Sequence, residues 1–131
     1  MSDDPRIPDG LKYDGSGLIP AVIQDADNGD VLMVGYMNRD AVQRTLETGR
    51  VTFWSRKRQE YWVKGETSGN VQELVEMRVD CDLDCLLILA KQTGPACHEG
   101  YRSCFFRRVE GDRTEVIGDR LMTPDQMYRK G

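Results

Sequence analysis

Short runs of apolar and polar residues alternate along most of the chain, and this period of two predicts β-strands rather than long helices. Turns rich in Gly, Asn and charged residues separate the runs, and the pair Asn28-Gly29 predicts a tight hairpin after the first of them. We predict strands in seven segments: residues 21–24, 31–34, 51–55, 61–63, 71–79, 86–90 and 105–109.

One segment has helical spacing instead. Asn38 can cap a helix, Gly49 can end it, and four residues between them fall on one face: Ala41, Val42, Thr45 and Leu46. The whole pattern predicts a mainly β fold, a β-rich α+β domain built as a barrel or sandwich. The helix would cover one open end or face of it.

The length of 131 residues and the mass of 14.9 kDa fit a single domain. Residues 1–16 are rich in Pro, Asp and Gly and predict a flexible N-terminal arm. We expect the folded domain to occupy residues 17–109. Residues 110–131 form a polar C-terminal extension in which Thr123-Pro124-Asp125 could start a short helix.

Charge and hydropathy narrow the range of partners. A net charge of −4 argues against a nucleic-acid binder, which needs a surplus of cations. The longest apolar run, Leu86 to Ala90, is far too short to span a bilayer, and the N-terminus does not resemble a signal peptide. We therefore expect a cytoplasmic protein with no membrane and no nucleic-acid partner. In that compartment its four cysteines suggest metal ligands or small core residues before disulfides.

The densest group of functional side chains is the acidic segment Asp80, Asp82 and Asp84. Carboxylates spaced by two would project to one side of an extended segment, and like charges so close call for solvent or a shared cation. Three oxygen ligands suit Mg²⁺. A solvated acidic turn is the equally weighted alternative.

The thiols of Cys81, Cys97 and Cys104 favour Zn²⁺ over Mg²⁺. Their spacing is not the C-x₂-C of a structural zinc ribbon. It better fits three protein ligands with a fourth position open to water, although any one cysteine could be only a small core residue. His98, the single histidine, adjoins Cys97 and could serve as a general base near such water; taken alone, it could equally be a packed or surface residue.

A third cluster combines basic, aromatic and small residues in segments 54–58 and 62–70. Arg and Lys can bind phosphate, glycines let backbone N–H groups approach it, and Trp54 or Trp62 could stack on a base. A basic hairpin turn whose aromatic residues pack in the core explains the same pattern about equally well.

These blocks, in this order, resemble the phosphoribosyl-AMP cyclohydrolase family. The matching segments run from about Gly17 to Arg108: Phe53-Trp54-Ser55-Arg56, Trp62 to Gly69, Asp80 to Asp84, and Cys97-His98 through Arg102-Ser103-Cys104-Phe105. The resemblance implies a pseudobarrel capped by a helix, an obligate homodimer and hydrolysis of the N1–C6 bond of the purine of phosphoribosyl-AMP in histidine biosynthesis. Residues 17–109 would be the cyclohydrolase domain of a monofunctional enzyme.

The resemblance also implies roles for individual residues. Zinc would be held by Cys81 of one subunit with Cys97 and Cys104 of the other, magnesium by the three aspartates, and His98 would belong to the catalytic machinery. The substrate would contact residues of the basic and aromatic cluster: Trp54, Ser55, Arg56, Lys64, Glu66, Ser68 and Gly69.

Three positions depart from the family pattern. Asn70 stands where histidine is common, Glu99 where threonine is common, and Cys85 is an additional thiol. Two rival functions stay open. A zinc nucleobase deaminase would use Cys97 and its neighbours, but the chain lacks the required H-x-E. A non-enzymatic binding module would use the cysteines, including Cys85, to close a structural zinc site.

Overall fold

The computed structural model describes residues 5–128. These form eight strands and two helices in the order β1 Ile19–Asp25, β2 Val31–Met37, α1 Arg39–Thr48, β3 Thr52–Ser55, β4 Glu60–Val63, β5 Gln72–Val79, β6 Leu86–Gln92, β7 Arg107–Glu110, β8 Arg113–Val116 and α2 Pro124–Tyr128. The mainly β class is confirmed, as are the seven predicted strands and both helices. Closure into a pseudobarrel and the homodimer stay predictions.

Four strands form the central sheet, in the order β2-β1-β6-β5. Strands β1 and β2 form the predicted hairpin, β5 and β6 pair antiparallel, and β1 lies parallel to β6 with Ala21 opposite Leu86. Every second residue of β1 and β6 is buried, so one face of the sheet covers the core. The other strands form two separate hairpins, β3–β4 and β7–β8.

Helix α1 has the predicted ends. The Asn38 side chain accepts a hydrogen bond from the Ala41 backbone N–H at 2.8 Å, and Gly49 ends the helix with a φ of +73°. The Thr45 hydroxyl lies on the buried face and accepts a hydrogen bond from the Thr52 N–H at 3.0 Å. The predicted apolar face of the helix therefore packs beside β3 and fixes where that strand begins.

The N-terminal segment is less free than the sequence suggests. Ile7, Leu11 and Tyr13 pack against the core, and the Lys12 N–H donates to the Leu83 carbonyl at 2.7 Å. Apolar residues spaced between prolines and glycines thus bind the segment to the domain without forming a regular element. Residues 1–4 of the predicted arm lie outside the described part of the chain.

The C-terminal hairpin differs most from the prediction. The strand expected at 105–109 begins at Arg107, and β8 falls in the segment expected to be a polar extension. All eight residues of the two strands are exposed, so they show no alternation between a buried and a solvent face. That is the physical reason the sequence did not reveal β8. Within residues 5–128, no helix is long and apolar enough to cross a membrane.

Close packing at Gly35 gives a first prediction. A Cβ atom at this buried position of β2 would overlap the ring of Phe53. We expect Gly35→Ala to lower the free energy of unfolding by about 2 kcal/mol, because the core must shift to admit a methyl group. Gly15→Ala is the matched control, since nothing lies within 4 Å of its Cβ. Urea unfolding at one protein concentration measures both, and equal midpoints would contradict the prediction.

Candidate active site

A cleft of about 460 Å³ with both polar and apolar walls lies beside β2, β4 and the loop that follows β6. Four of the residues expected at a functional site line it: Lys64, Ser68, His98 and Cys104. Six further residues complete the wall: Met33, Val34, Arg58, Trp62, Thr67 and Ala96. The cleft therefore joins part of the predicted basic cluster to part of the predicted thiol cluster.

Lys64 is a buried cation at the base of this cleft. Its side chain donates to the Ala96 carbonyl, and the ammonium lies 5.3 Å from the centre of the Trp62 ring. Burial lowers the pKa of Lys64, whereas the nearby Cys104 and Cys97 thiols act in the opposite direction. Among residues 5–128, no carboxylate forms an ion pair with Lys64. The thiols are therefore the acidic groups placed to pair with it.

The thiol of Cys97 lies close enough to that of Cys104 to affect its ionisation. Cys97 is 3% exposed and starts a tight turn in which the Gly100 N–H donates to the Cys97 carbonyl at 2.9 Å. Loss of solvent around its thiol, followed by the Cys97 thiol, raises the pKa of Cys104 to about 11, although the Lys64 ammonium acts in the opposite direction. At neutral pH these surroundings hold the Cys104 thiol in the protonated form.

His98 occupies the tip of the same turn and is exposed along the cleft wall. The imidazole, next in sequence to Cys97, lines the same cleft as Trp62 and is accessible to a molecule bound there. An exposed imidazole can exchange protons with a bound substrate or water.

Arg102 and Ser103 anchor the loop that carries these groups. The Arg102 guanidinium contacts the buried Asp25 carboxylate at 2.7 Å and Asp30 at 3.4 Å. The Ser103 hydroxyl donates to the Val31 carbonyl at 2.7 Å. The β1–β2 hairpin therefore fixes the loop at its Cys104 end.

The Arg102–Asp25 ion pair gives a second prediction. Replacing Arg102 by Met should cost about 2 kcal/mol of stability, because a carboxylate that is 7% exposed would lose its cation. This loss of stability is smaller than for a fully buried ion pair because Arg102 is itself 32% exposed. Arg108→Met, which breaks only exposed pairs with Glu110 and Glu115, should cost less than about 0.5 kcal/mol. Equal losses of stability in the two variants would contradict this account.

The predicted acidic cluster is brought together in the loop between β5 and β6. One oxygen from each of Asp80, Asp82 and Asp84 lies within 4.8 Å of the others, and among residues 5–128 this is the only such group of three His, Cys, Asp or Glu side chains. The segment is a turn, with the Leu83 N–H donating to the Asp80 carbonyl at 3.2 Å, and not the extended stretch assumed from the sequence. The carboxylates converge because the backbone folds around them.

The three carboxylates of the acidic cluster repel one another. Hydrogen bonds with Asp82 and Asp80, together with the charges of those carboxylates, raise the pKa of Asp84 to about 6. The Asp80 carboxylate in turn accepts the backbone N–H groups of Asp84 at 3.0 Å and Cys85 at 3.2 Å. A shared proton or a cation would relieve this repulsion.

Cys81 lies on the acidic loop, at the opposite end of β6 from Cys97. The strand has seven residues, so about 20 Å separates its two ends at a rise of ~3.3 Å per residue. One chain therefore does not bring the three predicted thiols to one point. The additional thiol Cys85 is on the Cys81 side, and burial, followed by the charges of the aspartates, raises its pKa. It is a poor substitute for either thiol at the cleft.

Five of the seven predicted substrate contacts do not line the cleft, and three of them lie on the β3–β4 hairpin. In the β3–β4 hairpin, Phe53 pairs with Trp62 and Trp54 pairs with Tyr61, so Trp54 is on the face away from Trp62. Trp54 instead packs edge-on against Tyr61, with ring centres 4.9 Å apart. Of the two tryptophans considered, Trp62 is the one at the cleft. The period-two alternation, with Phe53 assigned to the core, was the signal that could have selected it.

Ser55 and Arg56 follow Trp54 away from the cleft. The Ser55 hydroxyl accepts the Arg58 N–H at 3.2 Å, and the exposed Arg56 stacks over the Tyr36 ring at 3.9 Å. Arg58, at the end of the same basic run, does line the cleft.

The turn after β4 holds the remaining predicted contacts. Ser68 lines the cleft, whereas Glu66 and Gly69 are exposed outside its lining. Gly65 has a φ of +81°, and a Cβ there would overlap the Asn70 backbone, so this turn requires glycine. Asn70, which departs from the family pattern, is 4% exposed, and its Nδ2 has no hydrogen-bond partner among the described residues.

Fold and site together define a class of protein, a small, mainly β enzyme domain. Its cleft is lined by the His98 imidazole, the buried Lys64 and the Cys104 thiol. The sequence model of the phosphoribosyl-AMP cyclohydrolase family matches residues 33–106. The chain is 61% identical over 118 residues to the phosphoribosyl-AMP cyclohydrolase of Ruegeria pomeroyi, covering 89% of this chain and 99% of the relative. It is 56% identical over 117 residues to that of Roseobacter denitrificans, covering 89% and 88%. It is 61% identical over 107 residues to the phosphoribosyl-AMP cyclohydrolase of Paracoccus denitrificans, covering 82% of this chain and 88% of the relative.

This chain belongs to the phosphoribosyl-AMP cyclohydrolase family. The segment matched by the family model lies within the range expected from the sequence, and every residue that lines the cleft lies inside that segment.

Proposed function

We propose that the protein hydrolyses the N1–C6 bond of the purine ring of phosphoribosyl-AMP, a step of histidine biosynthesis. The observation that carries this proposal is the cleft in which His98, Lys64 and Cys104 lie together, in a chain of this family. Its volume of about 460 Å³ is in the range of small-molecule sites.

The donor groups fit two kinds of metal ion. The thiols of Cys97 and Cys104 lie near each other, and a cation bound by both would favour the Cys104 thiolate that its surroundings disfavour. The third thiol, Cys81, lies at the far end of β6, so we propose that a second copy of the chain supplies it. The protein would then be a homodimer with a shared zinc site, and the Asp80, Asp82 and Asp84 oxygens would hold magnesium.

A zinc ion at the thiols would supply Lewis acidity that makes a water molecule easier to deprotonate. His98 then takes the proton from the attacking water. The water oxygen adds to C6, the N1–C6 bond breaks with its electron pair going to N1, and N1 takes a proton. C6 becomes the carbonyl carbon of a carboxamide, so the ring opens to the formimino carboxamide ribotide.

The other residues of the cleft bind and orient the substrate. The Trp62 ring can stack on the base, and Arg58 with Ser68 offers donors to a phosphate at the rim. Lys64, buried beside both thiols, offsets their negative charge once they ionise. This differs from the phosphate contact that the sequence suggested for Lys64, and it follows from the burial of its ammonium.

Removal of metal tests the proposal. Phosphoribosyl-AMP turnover, followed by absorbance, should fall to background after chelation and return when zinc and then magnesium are added back. Product analysis separates the rivals, because a deaminase would release ammonia and a binding module would release nothing. If the metal-replete protein leaves phosphoribosyl-AMP intact, the proposal is wrong.

A further inference from the structure

The C-terminal segment Gly118–Met122, called the strap below, runs back over the loop that carries His98. The Leu121 and Met122 N–H groups both donate to the Gly100 carbonyl, at 2.8 and 3.2 Å. The Arg102 N–H donates to the Asp119 carbonyl at 2.9 Å. The strap is thus hydrogen-bonded to Gly100 and Arg102, which lie on the chain segment that leads from His98 to Cys104.

Arg120 adds side-chain contacts to this pairing. Its Nε donates to the Glu99 carbonyl at 2.9 Å, one residue beyond His98, and its guanidinium lies 5.2 Å from the centre of the Tyr101 ring. Tyr101 in turn stacks on Phe106 with ring centres 3.7 Å apart. The strap therefore contacts both backbone and side chains of the loop.

Gly100 is shaped for the strap. It has a φ of +90°, and a Cβ there would overlap the Met122 carbonyl. Gly118, at the start of the strap, is packed in the same way against Phe106. The absence of a side chain at Gly100 lets the strap and the loop fit together, since a Cβ there would push them apart.

We propose that the strap positions His98 for catalysis, although it lies outside the region matched by the family model and bears no reacting group. This inference rests on the proposed role of His98. Inside the turn itself, short-range hydrogen bonds hold the tip: the Gly100 N–H donates to the Cys97 carbonyl at 2.9 Å, the Cys97 N–H to the Tyr101 carbonyl at 3.2 Å, and the Glu99 N–H to the Cys97 Sγ at 3.4 Å. Because the strap holds Gly100 and Arg102, the exposed imidazole stays in one place relative to the cleft.

The experiment compares Gly100→Ala with Gly111→Ala. Both glycines have a positive φ, +90° and +61°, but nothing lies within 4 Å of a Cβ at Gly111. A second pair, Arg120→Ala with the exposed Arg113→Ala, separates loss of the strap contact from direct distortion of the turn. In the metal-replete full-length protein, Gly100→Ala and Arg120→Ala should lower kcat by roughly 10- to 100-fold and leave KM within about twofold. Both control variants should keep kcat within about twofold.

Two readouts distinguish positioning from general stability. In a His98→Ala background, Arg120→Ala should cause no further loss of kcat, because its effect acts through the imidazole. Amide hydrogen exchange of Gly100 and Leu121 in the metal-free protein should be faster in Gly100→Ala than in Gly111→Ala. Equal exchange rates in those two variants, or additive losses of kcat in the double variant, would contradict the proposed role of the strap. Because hydrogen exchange requires no turnover, it tests whether the strap holds the loop even if His98→Ala retains activity and the proposed function fails.

Discussion

Turnover of phosphoribosyl-AMP should fall by about 10²- to 10⁴-fold when His98 is replaced by alanine. Within residues 5–128 the cleft has no second imidazole, and Lys64, one of the two cations that line it, is buried and bonded to the Ala96 carbonyl. No other group lining the cleft titrates near neutral pH in its unperturbed state and can accept a proton from water. The loss should appear in kcat, with the zinc content of the protein unchanged.

Glu99→Ala is the matched control for this variant. It changes the next side chain on the same turn and leaves intact the Glu99 carbonyl that binds Arg120. Its kcat should stay within about threefold of the parent. Added imidazole should restore part of the activity of His98→Ala, since a small base can occupy the space left by the ring. Turnover of His98→Ala within about tenfold of the parent would eliminate His98 as the base.

Local signals in the sequence were sufficient for most of the fold. Asn38 and Gly49 predicted both ends of α1, because capping depends on contacts within a few residues. Strand β8 was not predictable in this way, because all of its side chains face solvent and carry no alternation. The packing of Leu11 and Tyr13 on the core was also hidden, since it depends on surfaces distant in the sequence.

The site was predictable as a set of residues, but its arrangement was only partly so. Asp80, Asp82 and Asp84 converge because they are close in sequence. Choosing between Trp54 and Trp62 required the pairing of β3 with β4, which places them on opposite faces. The burial of Lys64 against Ala96 joins segments 32 residues apart. Sequence spacing carries no signal for such a contact.

The separation of the thiols leads to the last expected result, which is complementation between two inactive variants. Cys81→Ala and Cys104→Ala should each abolish activity on their own, because every shared site in either dimer lacks one thiol. In a 1:1 mixture allowed to exchange subunits, half of the dimers are mixed, and each mixed dimer has one complete site of its two. About a quarter of the parent activity should therefore return.

Two further mixtures show whether the recovery depends on which thiols are shared. Cys97 and Cys104 lie together in one chain, so a mixture of Cys97→Ala with Cys104→Ala should recover nothing, although its subunits exchange in the same way. Cys85→Ala should stay fully active without any partner, because its thiol lies on the acidic side of β6 and bonds only to the Leu86 carbonyl among the described contacts. Recovery in the Cys97–Cys104 mixture, or none in the Cys81–Cys104 mixture, would refute a site assembled from two copies. About 20 Å of β6 would then have to be bridged within one chain, which a strand hydrogen-bonded on both sides does not permit.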